Sequence, residues 1–106
     1  MRIGFTTFLA ALALLPLTSL ALAQDVAAGR AHARQVCAEC HVVDGSGVRD
    51  GGKAPGFADV ARMPSTTELS LKVFLQSPHA SMPSINLTQR ELDDMVAYIL
   101  SLNNRT

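Results

Sequence analysis

The sequence predicts a small all-α domain, and three observations carry that reading. Two S/T-x-x-E runs, Ser65-Thr66-Thr67-Glu68 and Thr88-Gln89-Arg90-Glu91, each have the form of a capping box that opens a helix. Leu92, Met95, Val96, Ile99 and Leu100 recur at helical spacing and form one apolar face. No run of strand length alternates apolar with polar residues. At 106 residues the chain has room for one domain. Nine Lys plus Arg balance nine Asp plus Glu, so the formal net charge is zero. The broad basic surface that nucleic-acid binding needs is missing, and no nucleic acid is expected as a partner.

In chain order, the first stretch carries no charge from Ile3 to Gln24. Arg2, the apolar run Phe8 to Leu15, the breaker Pro16, and Ala21-Leu22-Ala23 ahead of Gln24 read as a signal peptide, residues 1–23, cleaved after Ala23. The alternative is an uncleaved anchor, since about 20 apolar residues span a bilayer. Cleavage leaves a single domain at residues 24–106, delivered to the periplasm with no stable membrane insertion. Its aromatic residues are then Phe57, Phe74 and Tyr98 alone. Domains with so thin a core commonly recruit a metal, a disulfide or another staple.

Asp25 stands where an N-cap belongs, ahead of a helix rich in Ala28, Ala31 and Ala33. That helix leads into Cys37-Ala38-Glu39-Cys40-His41, the C-x-x-C-H pattern of covalent haem attachment. On a helical turn these positions share a face, so two sulfurs and an imidazole reach one cleft. Cys37 and Cys40 can add to the two vinyl groups of a haem while His41 lies beneath the iron, which makes one haem c held by two thioethers the expected cofactor. Three other readings compete. A Cys37–Cys40 disulfide would close a very small loop and constrain little. A thioredoxin-like pair needs a strand leading into the motif. A structural zinc needs four ligands.

With these residues in place, the chain resembles the class I c-type cytochromes across nearly all of residues 24–106. The resemblance implies the cytochrome c fold, about four helices wrapped around one covalently attached haem. It makes Gly29 the glycine at which the carboxy-terminal helix approaches the first one, and it marks Ala33 as a departure, because many members carry a bulky aromatic there. The turn-rich stretch Asp44-Gly45-Ser46-Gly47 and Asp50-Gly51-Gly52 leads to Lys53-Ala54-Pro55-Gly56-Phe57. Pro55 matches the family's proline whose carbonyl meets the second ring nitrogen of the proximal histidine, the alternative being a plain turn residue. Pro78-His79-Ala80-Ser81-Met82-Pro83 resembles the distal loop, which implies His41 and Met82 as the two axial ligands. His79, Met63 or an open position are the alternatives to Met82.

Met63 otherwise reads as a core or haem-edge residue, Met95 as a gap-filler on the last helix, and His32, between Arg30 and Arg34, as a surface residue. Arg49, Lys53, Arg62 and Lys72 are the candidate propionate donors. Glu91, Asp93 and Asp94 are expected off the apolar face of the last helix. An iron with both axial positions filled offers no place for a substrate, so the resemblance implies an electron-transfer protein and not an enzyme. Its expected partners are redox proteins, donor and acceptor unidentified, meeting a haem edge bordered by Val42, Val43, Pro55, His79 and Ala80. The alternative function is a haem-binding subunit or gas-sensing module permanently associated with a partner enzyme.

Overall fold

The computed structural model describes residues 24–77 and 81–104, so the expected leader and the positions of His79 and Ala80 lie outside the described residues. Four helices follow in order: α1 (Val26–Val36), α2 (Phe57–Arg62), α3 (Glu68–Gln76) and α4 (Gln89–Ser101), the last continued by a 3-10 turn, Leu102–Asn104. No β-strand occurs among the described residues.

Asp25 caps α1, its Oδ1 accepting from the Ala28 amide at 2.9 Å. The most extensive helix pairing is α1 with α4. It is possible because Gly29 has no side chain: a Cβ there would stand 2.0 Å from the Asp94 carbonyl oxygen and 2.9 Å from Tyr98 Cβ. Ala33, where the resemblance would allow an aromatic, is wholly buried, as is Tyr98 from the opposite helix.

The α4 capping box forms as the sequence predicts. Thr88 Oγ1 accepts from the Glu91 amide at 3.2 Å, and Glu91 Oε2 accepts from the Thr88 amide at 2.8 Å. Leu92, Met95, Val96 and Ile99 are buried and Leu100 is half-buried. Asp94 departs from expectation, being only 7% exposed. Its carboxylate accepts from the Asp25 amide at 2.8 Å and faces Arg90 at 3.9 Å, so the buried charge has partners across the α1 seam and on its own helix.

The start of α3 differs as well. Thr67, not Ser65, is the N-cap: its Oγ1 accepts from the Ser70 amide at 3.0 Å while Ser70 Oγ accepts from the Thr67 amide at 2.8 Å. Ser65 contributes its carbonyl, which accepts from Ser70 Oγ at 3.0 Å. A serine at the third helical position closes the box as well as a glutamate would, and the search for S-x-x-E passes over it. Of the α3 apolar residues only Leu71 is buried; Leu69 and Val73, one turn apart on the far side, are 73% and 53% exposed.

Candidate haem-binding site

Beyond Val36 the chain keeps turning for one more helical turn. The Cys40 and His41 amides both donate to the Cys37 carbonyl, at 3.2 and 2.9 Å. The two cysteines and the histidine therefore share one turn. Both cysteines are free thiols, Cys37 buried and Cys40 exposed. Burial, then the neighbouring Cys40, pushes the Cys37 thiol up to about 11, so it is protonated at neutral pH. His41 Nδ1 lies 2.7 Å from the Pro55 carbonyl oxygen. A carbonyl can only accept, so Nδ1 carries a proton, and in the neutral tautomer that this fixes the lone pair is on Nε2. The ring packs against Phe57, centroids 5.2 Å apart and planes tilted by 54°.

The segment behind this pair is laced to α2. The Phe57 amide donates to the Val42 carbonyl at 2.9 Å and the Ala58 amide to the Gly45 carbonyl at 3.0 Å. The Gly47 amide donates to Asp59 Oδ2 at 2.6 Å. Gly56, next to Pro55, presses on the same turn, since a Cβ there would stand 2.7 Å from the Gly45 oxygen and 2.8 Å from the Gly47 oxygen. Asp44 ties this piece to the helical frame. Its Oδ1 accepts from Arg30 Nε at 2.9 Å and its Oδ2 from Arg34 Nε at 3.0 Å. The Tyr98 hydroxyl shares its proton between the Val43 carbonyl at 2.7 Å and Asp44 Oδ1 at 2.9 Å. These donors, Arg30 foremost, hold the Asp44 carboxyl down to about 2.

Sequence reasoning saw Asp44 as a turn residue. The signal that could have found its role is the Arg30–Arg34 pair, one turn apart on α1 and thus able to grip a single carboxylate. Val43 corrects an expectation: it is 5% exposed and belongs to the core, so it does not border a haem edge. Pro55 is exposed and Val42 half-buried.

Met82 lies in the segment between α3 and α4. It is half-buried and lines a cleft of about 210 Å³ of mixed character, where Phe74, Leu75, Pro83 and Ile85 stand beside Gln76, Ser77, Ser84 and Asn86, between α3 and the segment that leads to α4. Ser81, with φ of 66°, turns the chain into it. Met63 is 45% exposed and does not fill the core. His32 is half-buried rather than a free surface residue. Its Nδ1 is 3.9 Å from Glu91 Oε1, and its buried Nε2 has no hydrogen-bond partner among the described residues. Among the basic candidates, Arg49 donates to the Ala38 carbonyl, Arg62 to Ser46 and Asp59, and Lys72 to Glu68, with Asp93 beside it. Lys53 forms no ion pair among the described residues. The donor set fits a haem: two free thiols and an imidazole on one turn, and an uncharged thioether in a half-buried cleft.

A helical domain whose C-x-x-C-H turn presents two thiols and an oriented imidazole has the make-up of a c-type cytochrome. A protein-family model described as "Cytochrome C oxidase, cbb3-type, subunit III" matches residues 24–99. The chain is 42% identical over 85 residues to cytochrome c-552 of Bradyrhizobium diazoefficiens, an overlap covering 80% of this chain and 82% of that one. No solved structure matches it. The chain belongs to the cytochrome c family, the haem-iron proteins of electron transport whose cofactor is covalently bound haem c. Among the described residues no helix is long and apolar enough to cross a membrane.

Proposed function

We propose that the chain is a periplasmic one-electron carrier whose haem c is held by Cys37 and Cys40 and ligated by His41 and Met82. Export follows from the leader at residues 1–23, cleaved after Ala23. Cys37 and Cys40 would hold the haem by each adding S–H across one vinyl group, an addition that would balance without an oxidant. His41 offers Nε2 to the iron, and Pro55 fixes the tautomer and raises the basicity of the ring through Nδ1. That 2.7 Å contact, beside two free thiols on the same turn, is the observation that carries the proposal. Met82 offers a soft, uncharged sulfur that favours the ferrous state. Haem c would supply reversible one-electron chemistry, and with His41 and Met82 both held to its iron the chain would carry electrons and turn over no substrate.

The test is optical. The ferrous protein is expected to be six-coordinate, low-spin and indifferent to carbon monoxide, and its haem to survive acid-organic extraction. Met82→Ala is expected to abolish the methionine charge-transfer band of the ferric form and to lower the potential. Ready carbon monoxide binding by the wild type, or an unchanged Met82→Ala spectrum, rejects His/Met ligation; freely extracted haem rejects covalent attachment. A second reading, a subunit permanently docked to one redox enzyme, is favoured by Leu69 and Val73, which stand exposed on the far side of α3. Co-purification with an enzyme through salt washes would favour it over a free carrier.

A further inference from the structure

The His41–Pro55 contact joins two pieces of chain that are held by different means. His41 rides on the turn that continues α1, through the Cys37 carbonyl. Pro55 belongs to the piece formed by residues 42–47 and the start of α2, locked by the Val42, Gly45 and Asp59 hydrogen bonds and by the close fit of Gly56. The distance between the imidazole and the proline carbonyl is thus set by whatever fixes that piece relative to α1 and α4. Asp44 does this with both oxygens, gripping Arg30 and Arg34 of α1 and sharing the hydroxyl of Tyr98 from α4. Charge-assisted bonds of this kind are the stronger ones, and three side chains from two helices converge on one carboxylate.

We propose that Asp44 is a positioning residue for the proximal histidine, its clasp on Arg30, Arg34 and Tyr98 holding the Pro55 carbonyl at hydrogen-bonding distance from His41 Nδ1. The inference rests on His41 being the iron ligand. Loosening the clasp lengthens the Nδ1 contact, lowers the basicity of the ring, and weakens its preference for ferric iron. The reduction potential therefore rises, and the Nδ1 proton exchanges faster with solvent.

The test uses three variants of the haem-loaded protein: Asp44→Ala, the pair Arg30→Ala with Arg34→Ala, and Tyr98→Phe. They remove a negative charge, two positive charges and no charge, respectively. A purely electrostatic influence on the iron would raise the potential in the first, lower it in the second and leave the third unmoved. The clasp raises it in all three and quickens His41 Nδ1 proton exchange by at least about tenfold in each, the change expected for Tyr98→Phe, which loses one charge-assisted bond where the others lose two or three. Opposite signs for Asp44→Ala and the arginine pair overturn the proposal, as does a wild-type potential and exchange rate in all three. Tyr98→Phe and the arginine pair keep the test alive if Asp44→Ala does not fold. The wild-type haemochrome spectrum separates the two levels: without the signature of two thioethers the proposed function falls and the clasp with it, whereas that signature with unmoved variants overturns the clasp alone.

Discussion

At Gly29 two effects of opposite sign meet, and their balance is measurable. Exchanging glycine for alanine within a helix stabilises it by about 1 kcal/mol when nothing else intervenes. Here the added Cβ would stand 2.0 Å from the Asp94 carbonyl oxygen, 2.6 Å from its carbon and 2.9 Å from Tyr98 Cβ, where ordinary contact begins at 3.4 Å. Two of these atoms are backbone and the third is the first atom of a buried side chain, so no rotamer change relieves the overlap. Only moving α4 away from α1 opens the gap, and α4 brings Leu92, Met95, Val96 and Tyr98 with it, none more than 1% exposed. Overpacking of this kind costs about 1–3 kcal/mol where side chains can adjust, and more where backbone must move. Set against the propensity gain, Gly29→Ala is expected to lose about 2–3 kcal/mol, a Tm lower by roughly 10–20 °C for a domain of this size. Thermal and guanidinium unfolding of the haem-loaded protein, followed by far-UV circular dichroism, reads it. Ala31→Gly, on the exposed side of the same helix, calibrates propensity alone at about 1 kcal/mol. A Gly29→Ala protein as stable as the wild type, or more so, would mean that α1 and α4 do not meet at this residue.

The two candidate caps of α3 separate by mutation: Thr67→Ala is expected to cost about 1 kcal/mol in urea unfolding and Ser65→Ala close to nothing, and the reverse order would return the cap to Ser65. Asp44 has a folded-state value of about 2, below the 3.8 of a free carboxyl, so its contribution is present above about pH 4 and disappears as the pH falls toward 2. Its side chain is 39% exposed, and after solvent screening the contribution is about 1 kcal/mol. Asp44→Asn should therefore be less stable than the wild type at pH 7 by about that amount, with the difference vanishing near pH 2; a difference that persists unchanged at pH 2 would locate the effect elsewhere.

What the sequence announced were features whose partners lie close along the chain. The Cys37–His41 turn, the Asp25 cap and the Thr88–Glu91 box each close within a few residues, so spacing alone specifies them. The α4 face was legible for the same reason, as one periodic signal. Asp94 was misjudged because its reason for burial, the amide of Asp25, comes from the far end of the chain. Asp44 was overlooked likewise, since Arg30, Arg34 and Tyr98 meet it only once α1 and α4 have crossed at Gly29. His32 looked like a surface residue between two arginines until the start of α4 came down beside it. Val43 was assigned to a rim by analogy, and only the Tyr98 hydroxyl on its carbonyl shows why it turns inward.

The surroundings of His41 and of Met82, the two proposed ligands, rely on different forces, and the chemistry of each side chain accounts for the difference. An imidazole has two nitrogens with distinct roles, so its donor strength depends on how well one N–H is aimed at an acceptor. On that side the chain uses directional bonds: Pro55 on the ring, and behind Pro55 a loop fastened by α1, α2 and α4. A thioether has no proton to orient and is only a weak acceptor, so directional bonds would add little. On that side stand Phe74, Leu75, Pro83 and Ile85, interleaved with Gln76, Ser77, Ser84 and Asn86, and they offer the sulfur packing contacts. A change in the clasp should therefore move the potential through the basicity of His41, with the polarity of the cleft unaltered. With Met82 as the proposed ligand, a polar substitution at Ile85, in the same cleft, should move it through the solvation of the sulfur, leaving the His41 Nδ1 proton as slow to exchange as before. The two routes are independent, so their effects on the potential should add when combined.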